Sequence, residues 1–334
     1  MEKKPSLIDV ARRAKVNIST VSRIINKTGS FGSATETRVR KIMKELGYKP
    51  NRVARRLRTQ EGSSHLMGLI IPNIQNPFFA DLARGVEDVA YQNNFAVLLC
   101  NYDEDEKKER FYLDVLQSES VDGIILPPIH ENDPAVLQVV RNGIPVVCVD
   151  RSLSSGALDK VEVDNHMAAF TAVEHIIAKG HRRIGVICGP ADSSTGRERL
   201  RGYKEAHGKA EIPVRSEFVR FGDFKQQSGN LLAHEILSLS QPPSALFVCN
   251  GLMMIGALEA IAERGLKIPR QIALVGFDDL SLAAVFNPPL TMVRQPAYEV
   301  GKCSAELLLK RIEDPNRPPT SLKLLPELII RKSC

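Results

Sequence analysis

Apolar residues recur at helical spacing at the start of the chain. A first group lies at Leu7, Val10, Ala11 and Ala14. A second group consists of Val21 and Ile25, one helical turn apart. Because residues three or four positions apart share one face of a helix, the spacing predicts two short helices joined by a turn at residues 15–17.

The residues around these helices support that interpretation. Ser6 and Asp9 have the spacing of a capping box, and Asn17 is a suitable cap for the second helix. The second helix then leaves a small polar face directed outward, formed by Ile18, Ser19, Ser22 and Arg23. Two short helices of this kind are typical of a helix-turn-helix whose second helix enters the major groove.

A third helix and a basic segment follow. Ser33 and Glu36 predict a second capping box, and an apolar stripe that ends at Gly47 predicts the helix itself. That stripe consists of Val39, Ile42, Met43 and Leu46. Residues 51–58 after Pro50 contain four Arg but form too short a helix to be stable alone. We expect them to order against a partner on DNA, with Ala54 packing across a dimer axis and Leu57 wedged into the minor groove.

The remaining chain alternates apolar runs with amphipathic stretches, after a polar joint at residues 59–65. The runs predict strands at 66–72, 95–100, 121–126, 145–149, 183–188, 244–249 and 271–276. Helices are predicted near 78–93, 106–119, 166–179, 198–209, 227–238, 252–264 and 297–312. Such alternation favours parallel sheets covered on both faces. Residues 161–164 and 290–293 lie where two such units would join.

The charge is distributed unevenly. Residues 1–60 contain sixteen Lys and Arg against four acidic residues, a balance of +12, whereas the whole chain carries +6. The remaining residues therefore sum to −6. A basic head suits DNA phosphates, since neutralising them releases condensed cations. A membrane surface or an acidic protein would attract the same positive charge. A basic face that is merely solvated and binds no partner is the remaining alternative.

The predicted strand ends define a candidate pocket. Ligands of parallel sheets bind at the carboxyl ends of strands. These ends are Pro72–Phe79, Asp150-Arg151, Gly189–Arg199, Asn250 and Asp278-Asp279. Carboxylate, amide and guanidinium groups beside Phe78, Phe79 and Phe224 suit a polyhydroxylated ligand.

Several of these residues have simpler interpretations. Asp279 could cap the following helix, and Phe79 could be a core residue. Arg197, Arg199 and Arg201 cannot all face one side of a helix, so at most one or two point into a cleft, and we favour Arg199.

Other functional classes lack their signatures. Cys100, Cys148, Cys188 and Cys249 end predicted buried strands without a C-x-x-C pair, which predicts free thiols and no metal. A G-x-G-x-x-G and a P-loop are absent, so an enzyme is disfavoured. A secreted solute-binding protein would need a signal peptide in place of the basic head. We expect a cytoplasmic protein without a membrane span or cofactor.

The chain resembles the lactose-repressor/galactose-repressor family of bacterial transcription regulators. Residues 6–26, the junction at 48–51 and the hinge at 54–57 carry the resemblance, which continues to the end of the chain. It implies that Ile18, Ser19 and Arg23 read bases. It also implies that Thr20, Ser22 and Asn26 touch phosphates, while Asn51, Ala54 and Leu57 belong to the hinge that engages DNA.

The same resemblance points to the pocket. It implies effector contacts at Asn76, Asp150, Arg199, Phe224, Asn250 and Asp278, to which the strand-end rule adds Phe78 and Arg151. Two positions depart from the family pattern. Lys15 stands in the turn where Gly is common, and Gly251 stands where many relatives have Asp after the residue matching Asn250.

The resulting expectation is an all-α helix-turn-helix headpiece on an α/β core of two parallel-sheet lobes, like periplasmic binding proteins. The predicted ranges are 1–48 for the headpiece, 49–65 for hinge and linker, and 66–334 for the core. The first lobe is predicted at 66–162 and 293–320, the second at 163–292 and 321–334.

The function expected of this architecture is repression from a pseudo-palindromic DNA operator, bound as a homodimer and switched by a small molecule. Sugar is the favoured effector, and a nucleobase or a phosphocarrier protein acting as corepressor is the alternative. No heptad tail follows residues 328–330, so we expect dimers and not coiled-coil tetramers.

Overall fold

A computed structural model describes residues 5–26, 31–48, 63–154 and 158–334 of the chain. The chain divides into two compact units, Met1–Ser64 and His65–Cys334. In the first unit, the described helices are α1 (Leu7–Ala14), α2 (Ile18–Asn26) and α3 (Ser33–Glu45). Val10, Ala11, Val21 and Val39 are among the buried residues that hold these helices together.

The predicted cap of α1 is confirmed. The Ser6 side chain accepts from the Asp9 N–H, and an Asp9 carboxylate oxygen accepts from the Ser6 N–H at 2.9 Å. Lys15 ends the helix with φ 53° and ψ 46°, the left-handed conformation that glycine adopts most easily. The turn therefore keeps its shape with Lys in place of Gly.

One local prediction in this unit is wrong. Ser33 does not cap α3: Gly32 holds the cap position without a side-chain bond, and Ser33 is the first helical residue. Glu36 is thus one position too far along for a capping box, and it pairs with Arg40 at 2.6 Å. On α2, the half-buried Ile25 packs against the core beside Val21 as predicted, and Ile24 is fully buried in the same core.

The second unit contains two lobes, each built on a six-stranded sheet. The first lobe comprises β1 (Leu66–Ile71), α4 (Pro77–Gln92), β2 (Ala96–Asn101), α5 (Glu106–Ser118), β3 (Gly123–Leu126), α6 (Pro134–Arg141), β4 (Val146–Val149), β5 (Asp159–Val163), α11 (Ala297–Glu313) and β11 (Ser321–Leu324). Its strand order is β11-β5-β4-β3-β1-β2, and all its pairings are parallel.

The second lobe has the same layout. It comprises α7 (Asn165–Ala178), β6 (Ile184–Cys188), α8 (Ser194–Lys209), β7 (Val219–Phe221), α9 (Gln226–Leu237), β8 (Ala245–Val248), α10 (Gly251–Glu263), β9 (Ala273–Phe277), β10 (Thr291–Arg294) and β12 (Glu327–Ile329), with one 3-10 turn at Ser216–Phe218. Its order is β12-β10-β9-β8-β6-β7, with β12 antiparallel to β10.

Both sheets are covered on both faces, as their sequence pattern predicts. Leu69 and Ile71 of β1 point into one apolar cluster of the first lobe, and Ile70 between them points into the other. Two further clusters cover the sheet of the second lobe. Apolar side chains on successive strand residues therefore stabilise opposite faces of the same sheet.

The lobe boundaries differ from the prediction. β11, expected in the second lobe, pairs with β5 in the first, with Ser321 opposite Lys160 and Leu324 opposite Val163. β10 extends the second sheet as far as Arg294, so the first lobe resumes later than residue 293. β11 is short and alternates polar with apolar residues, so its own sequence does not show which of the two sheets it joins.

A buried carboxylate secures the late segment. Asp159 is fully buried and accepts from Arg311 Nε at 2.9 Å and from the Thr320 N–H at 2.7 Å. Arg317 Nη1 approaches the same carboxylate at 3.3 Å. This network joins the start of β5 to α11 and to the residues just before β11.

Candidate functional site

A cleft lies between the two lobes at the carboxyl ends of their strands. The first lobe lines it with residues that follow β1, β2 and β4, and the second with residues that follow β6, β7, β8 and β9. All eight residues predicted to bind an effector line this cleft: Asn76, Phe78, Asp150, Arg151, Arg199, Phe224, Asn250 and Asp278. The strand-end rule thus identifies side chains that the fold brings together.

On the second lobe, the cleft residues are tied to the start of α10. Asn250 caps this helix, because its Oδ1 accepts from the N–H groups of Leu252 and Met253 at 3.0 and 3.1 Å. Asp278 Oδ2 accepts from Asn250 Nδ2 at 3.2 Å and from the Gly251 N–H at 3.1 Å. Gly251 therefore supports the site through its backbone.

The remaining oxygen of Asp278 is bound by a residue from the connection between the lobes. Gln295 follows β10, and its Nε2 donates to Asp278 Oδ1 at 2.6 Å. The other side-chain atom of Gln295, Oε1, is buried and has no hydrogen-bond partner. Gln295 lines the cleft, and this oxygen is shielded from solvent behind its surface.

Arg199 is held just as firmly. Its Nε donates to Asn165 Oδ1 at 2.8 Å, its Nη1 donates to the Cys249 carbonyl at 2.6 Å, and the guanidinium lies 3.7 Å from the ring centroid of Phe277. Neither hydrogen bond uses Nη2. A buried cation placed in this way presents one donor edge without needing a carboxylate partner.

On the first lobe, Asp150 is buried and accepts no hydrogen bond from the described residues; the nearest cationic atom is Arg151 Nε, 3.9 Å from its Oδ2. Burial raises the pKa of this carboxyl to about 6, although the Arg151 and Arg199 charges oppose the shift. Asp150 is a buried acceptor that a ligand could satisfy.

Arg151 pairs with Glu104 through both terminal nitrogens, with Nη1 to Oε2 at 2.8 Å. Its guanidinium lies 5.7 Å from the ring centroid of Phe224 on the other lobe. Arg151 Nε is buried without a partner. The residue therefore combines a satisfied ion pair with one unused donor that faces Asp150.

Asn76 and the two phenylalanines come from the start of α4. Asn76 caps the helix by accepting from the Phe78 N–H at 3.0 Å. Phe78 and Phe79 pack edge to face with centroids 5.0 Å apart. Both rings belong to the core of the first lobe and also line the cleft, so the core and the binding interpretations apply together.

Backbone strain concentrates around the cleft. Five lining residues other than glycine have φ between 55° and 67°: Asp103, Glu104, Asp150, Phe224 and Asp278. Left-handed backbone is uncommon for such residues and persists where the surrounding structure enforces it, often at ligand sites. The fold therefore aims these side chains against their local preference.

The structure also decides between the alternative interpretations of the three arginines of α8 and of Asp279. Arg197 pairs with Glu131 of the first lobe, and Arg201 pairs with Glu198 on its own helix, so Arg199 is the cleft arginine. Asp279 does not cap a helix. It pairs with Arg294 and Arg331, each within 2.8 Å at the nearest.

Sequence reasoning missed other lining residues. Asp103 and Glu104 lie two and three residues beyond the end of β2, and Thr195 precedes Arg199 on α8, within the strand-end range 189–199. Lys225 and Gln295 follow β7 and β10. The strand-end rule also applies to Gln295, because this residue directly follows β10. The sequence pattern of residues 290–293 indicates a junction between lobes and does not by itself identify a strand.

The predicted DNA contacts lie on α2. Ile18, Ser19 and Arg23 are exposed, while Thr20 and Ser22 are half-buried. Asn26 is the last residue of the helix. Among the described residues, Arg23 forms no ion pair, so its charge is available to a partner. Asn51, Ala54 and Leu57 lie outside the described residues.

No cluster of three or more metal-ligating side chains occurs in the described ranges. All six cysteines are free, and Cys148, Cys188 and Cys249 are buried, whereas Cys100 is half-buried. None of the described helices has the length and apolar character needed to cross a membrane.

Comparisons with known proteins agree with this architecture. Residues 6–51 match the model of bacterial regulatory proteins of the lacI family, and residues 173–334 match a periplasmic binding protein-like domain. The HTH-type transcriptional repressor PurR of Aliivibrio fischeri (strain MJ11) is 35% identical over 97% of each chain.

Solved structures show the same fold. The lac repressor dimer bound to operator and the anti-inducer ONPF superposes with a TM-score of 0.87 at 27% identity, covering 99% of each chain. The transcriptional regulator CelR in complex with cellobiose has a TM-score of 0.76 at 31% identity, covering 99% of this chain and 100% of CelR.

Proposed function

The chain belongs to the lacI family of bacterial regulatory proteins, and we propose that it represses transcription as a homodimer on a pseudo-palindromic operator, switched by a sugar. As a member it is a DNA-binding transcriptional repressor and not an enzyme. The choice of sugar, the dimer and the individual contacts are the parts that need testing.

One observation carries the sugar assignment. Three buried side-chain atoms of the described residues have no partner, and two of them, Arg151 Nε and Gln295 Oε1, belong to cleft residues. Asp150 adds a carboxylate that accepts no hydrogen bond from the described residues. Unpaired buried groups cost about 1–3 kcal/mol each. A hydroxyl both donates and accepts, so a polyhydroxylated ligand can bond the Asp150 carboxylate directly, and it would reach the two shielded atoms only if their side chains turned toward it.

The solved relatives are consistent with this ligand class, since CelR is complexed with cellobiose. A thermal-shift screen of the full-length protein should use D-ribose, D-glucose, cellobiose, adenine and hypoxanthine as probes. A ligand that binds only the native state raises the melting temperature. A shift with a sugar supports the proposal, whereas a shift with a nucleobase alone overturns the sugar effector.

We assign DNA reading to α2. Ile18, Ser19 and Arg23 would contact bases, and Thr20, Ser22 and Asn26 would contact phosphates. Asn51, Ala54 and Leu57 would engage the minor groove between two half-sites. Selection of binding sites from a pool of random duplex DNA should recover a pseudo-palindrome, because two headpieces related by a two-fold axis read the same half-site.

Arg23→Ala should weaken binding to the selected operator by about 1–3 kcal/mol while changing non-specific binding little, if the guanidinium reads guanine through two hydrogen bonds. Arg40→Ala is the matched control, since it removes the same charge from a residue already paired with Glu36. Fluorescence anisotropy on operator and random DNA distinguishes them. Equal losses on both DNAs would make Arg23 a phosphate contact.

The switch follows from coupling between the cleft and the DNA. An effector shifts operator affinity only by its differential affinity for two states, commonly about 1–3 kcal/mol. Operator titrations with and without the sugar found in the screen would give its sign. Sedimentation of the free protein tests the dimer, and a monomer at micromolar concentration would contradict it.

A further inference from the structure

We propose that the cleft selects a neutral, unphosphorylated sugar and rejects the corresponding sugar phosphate. This inference rests on the proposed sugar effector and specifies its chemical class. The charges that line the cleft, their existing partners and the capped starts of most of the surrounding helices all disfavour an anionic ligand.

Carboxylates outnumber cations in the lining. Its acidic residues are Asp103, Glu104, Asp150, Asp223 and Asp278, and its basic residues are Arg151, Arg199 and Lys225. Asp150 and Asp278 are both buried; the nearest cationic atom to Asp150 is Arg151 Nε at 3.9 Å, and Asp278 forms no ion pair with a Lys or an Arg of the described residues. An anion placed among these residues would meet two buried negative charges in surroundings of low dielectric constant, where repulsion is strong.

The two buried cations are already engaged. Arg151 gives both terminal nitrogens to Glu104, so its charge is neutralised within the protein. Arg199 lies against the Phe277 ring and donates to Asn165 and the Cys249 carbonyl. Arg151 therefore has no free terminal nitrogen and Arg199 keeps only Nη2, so neither guanidinium presents two wholly free terminal nitrogens of the kind that bind phosphate in other proteins.

The helix starts at the cleft are blocked as well. Phosphates are often held by free N–H groups at a helix N-terminus. Here the start of α4 is capped by Asn76 and contains Pro77, which has no N–H, and α8 is capped by Ser193. The first N–H of α10 donates to Asp278, and the next two donate to Asn250.

One helix start differs. α9 follows Lys225 and has no side-chain cap. Lys225 is exposed, however, and its own N–H donates to Asp223 at 3.0 Å, with Asp103 also in the lining nearby. This corner of the cleft thus combines one solvated cation with two carboxylates. It does not compensate for the buried negative charge deeper in the cleft.

The test compares sugars with their phosphates by isothermal titration calorimetry at pH 7.5. The probe pairs are D-ribose with D-ribose 5-phosphate and D-glucose with D-glucose 6-phosphate. The neutral member of the pair that binds should do so about tenfold or more tightly than its phosphate. A phosphate that binds as tightly as its parent sugar, or more tightly, overturns the inference.

A charge variant isolates the cause. Asp150→Asn removes one buried negative charge, so the ratio of the two dissociation constants should fall about fivefold or more even though both ligands bind more weakly. Asp114→Asn makes the same change on the exposed face of α5, outside the cleft, and should leave the ratio unchanged. Equal ratios in all three proteins would overturn the electrostatic argument.

The two levels of the proposal fail in different ways. If none of the neutral sugars or phosphates binds, the sugar effector is wrong and this inference falls with it. If a sugar phosphate binds and its parent sugar does not, the sugar effector stands and only the selection against charge is overturned.

Discussion

The two walls of the cleft hold their polar groups in different ways. On the second lobe, Asp278 accepts three hydrogen bonds from protein donors, and Asn250 and Arg199 are likewise fixed. On the first lobe, Asp150 accepts none from the described residues. One wall is therefore complete without a ligand, whereas the other retains a buried charge that a ligand can satisfy.

Asp278 and Asp150 show that a buried aspartate can contribute to the protein in two ways. A carboxylate that is fully hydrogen-bonded stabilises the fold and positions its neighbours, whereas an unsatisfied one costs stability until something binds. Removing a carboxylate should thus have opposite effects on the free protein in the two walls.

Asp278→Ala should lower the free energy of unfolding of the ligand-free protein by about 3–5 kcal/mol and abolish sugar binding. The change leaves Gln295 Nε2, Asn250 Nδ2 and the Gly251 N–H without their acceptor in a buried place. Urea unfolding measures the loss. Asp223→Ala is the control, because this exposed carboxylate accepts only from a backbone N–H; equal losses would contradict the role of the second wall.

Glu109→Gln tests whether the first lobe holds a second buried carboxyl, outside the cleft, whose negative charge no cation neutralises. Glu109 is buried beside Asp133, and burial, then the hydrogen bond to Asp133, raise its pKa from 4.5 to about 9. Because the folded-state pKa is the higher one, the stabilising contribution is complete below about pH 4.5 and is lost as the pH rises towards 9.

The variant should therefore flatten the pH dependence of unfolding and be about 2 kcal/mol more stable than the parent at pH 8. Thermal unfolding from pH 5 to pH 9 measures it, with Asp114→Asn on the same helix as control. A parent protein whose stability does not fall over this range would show that Glu109 is ionised.

Asp150→Asn should stabilise the free protein by about 1–2 kcal/mol at pH 7.5 while weakening sugar binding. Burial raises the pKa of Asp150 to about 6, so its favourable contribution is lost as the pH rises through 6. The gain should shrink at pH 5. Destabilisation at pH 7.5 would show that a protein partner already satisfies this carboxylate.

Arg197→Gln should have the smallest effect. The Arg197–Glu131 pair joins the two lobes, but its side chains are 45% and 40% exposed. Exposed pairs contribute about 0–1 kcal/mol, and less in high salt. Unfolding in 0.05 and 0.5 M NaCl measures this. A loss above 2 kcal/mol would mean that the ion pair, and not the hydrogen-bonded wall, secures the cleft.

Much of this site could be predicted from the sequence because strand ends carry a local signal. Apolar runs mark the strands, and the residues just after them line the cleft. The capping roles of Asn76 and Asn250 had a signal too, since each directly precedes a helix. Asp133-Pro134 likewise marks the start of α6, which the sequence interpretation omitted.

The rest depends on contacts distant in sequence. β11 joins a strand whose residues come more than 150 positions earlier, so only the folded chain shows its partner. The hydrogen bond from Gln295 to Asp278 and the pairing of Arg151 with Glu104 have the same character. Hydrophobic patterning specifies elements and faces, but it does not specify which polar groups remain unsatisfied.

The late return of the chain to the first lobe has a consequence for synthesis. A ribosome makes β5 and then the roughly 160 residues that precede β11, which at about 5–20 residues per second takes on the order of 10–30 s. During that time Asp159 lacks Arg311 and Arg317, and β5 is an open edge. Unpaired edges attract other strands. The nascent first lobe therefore carries an unpaired strand edge and an unpaired buried carboxylate until the chain is nearly complete.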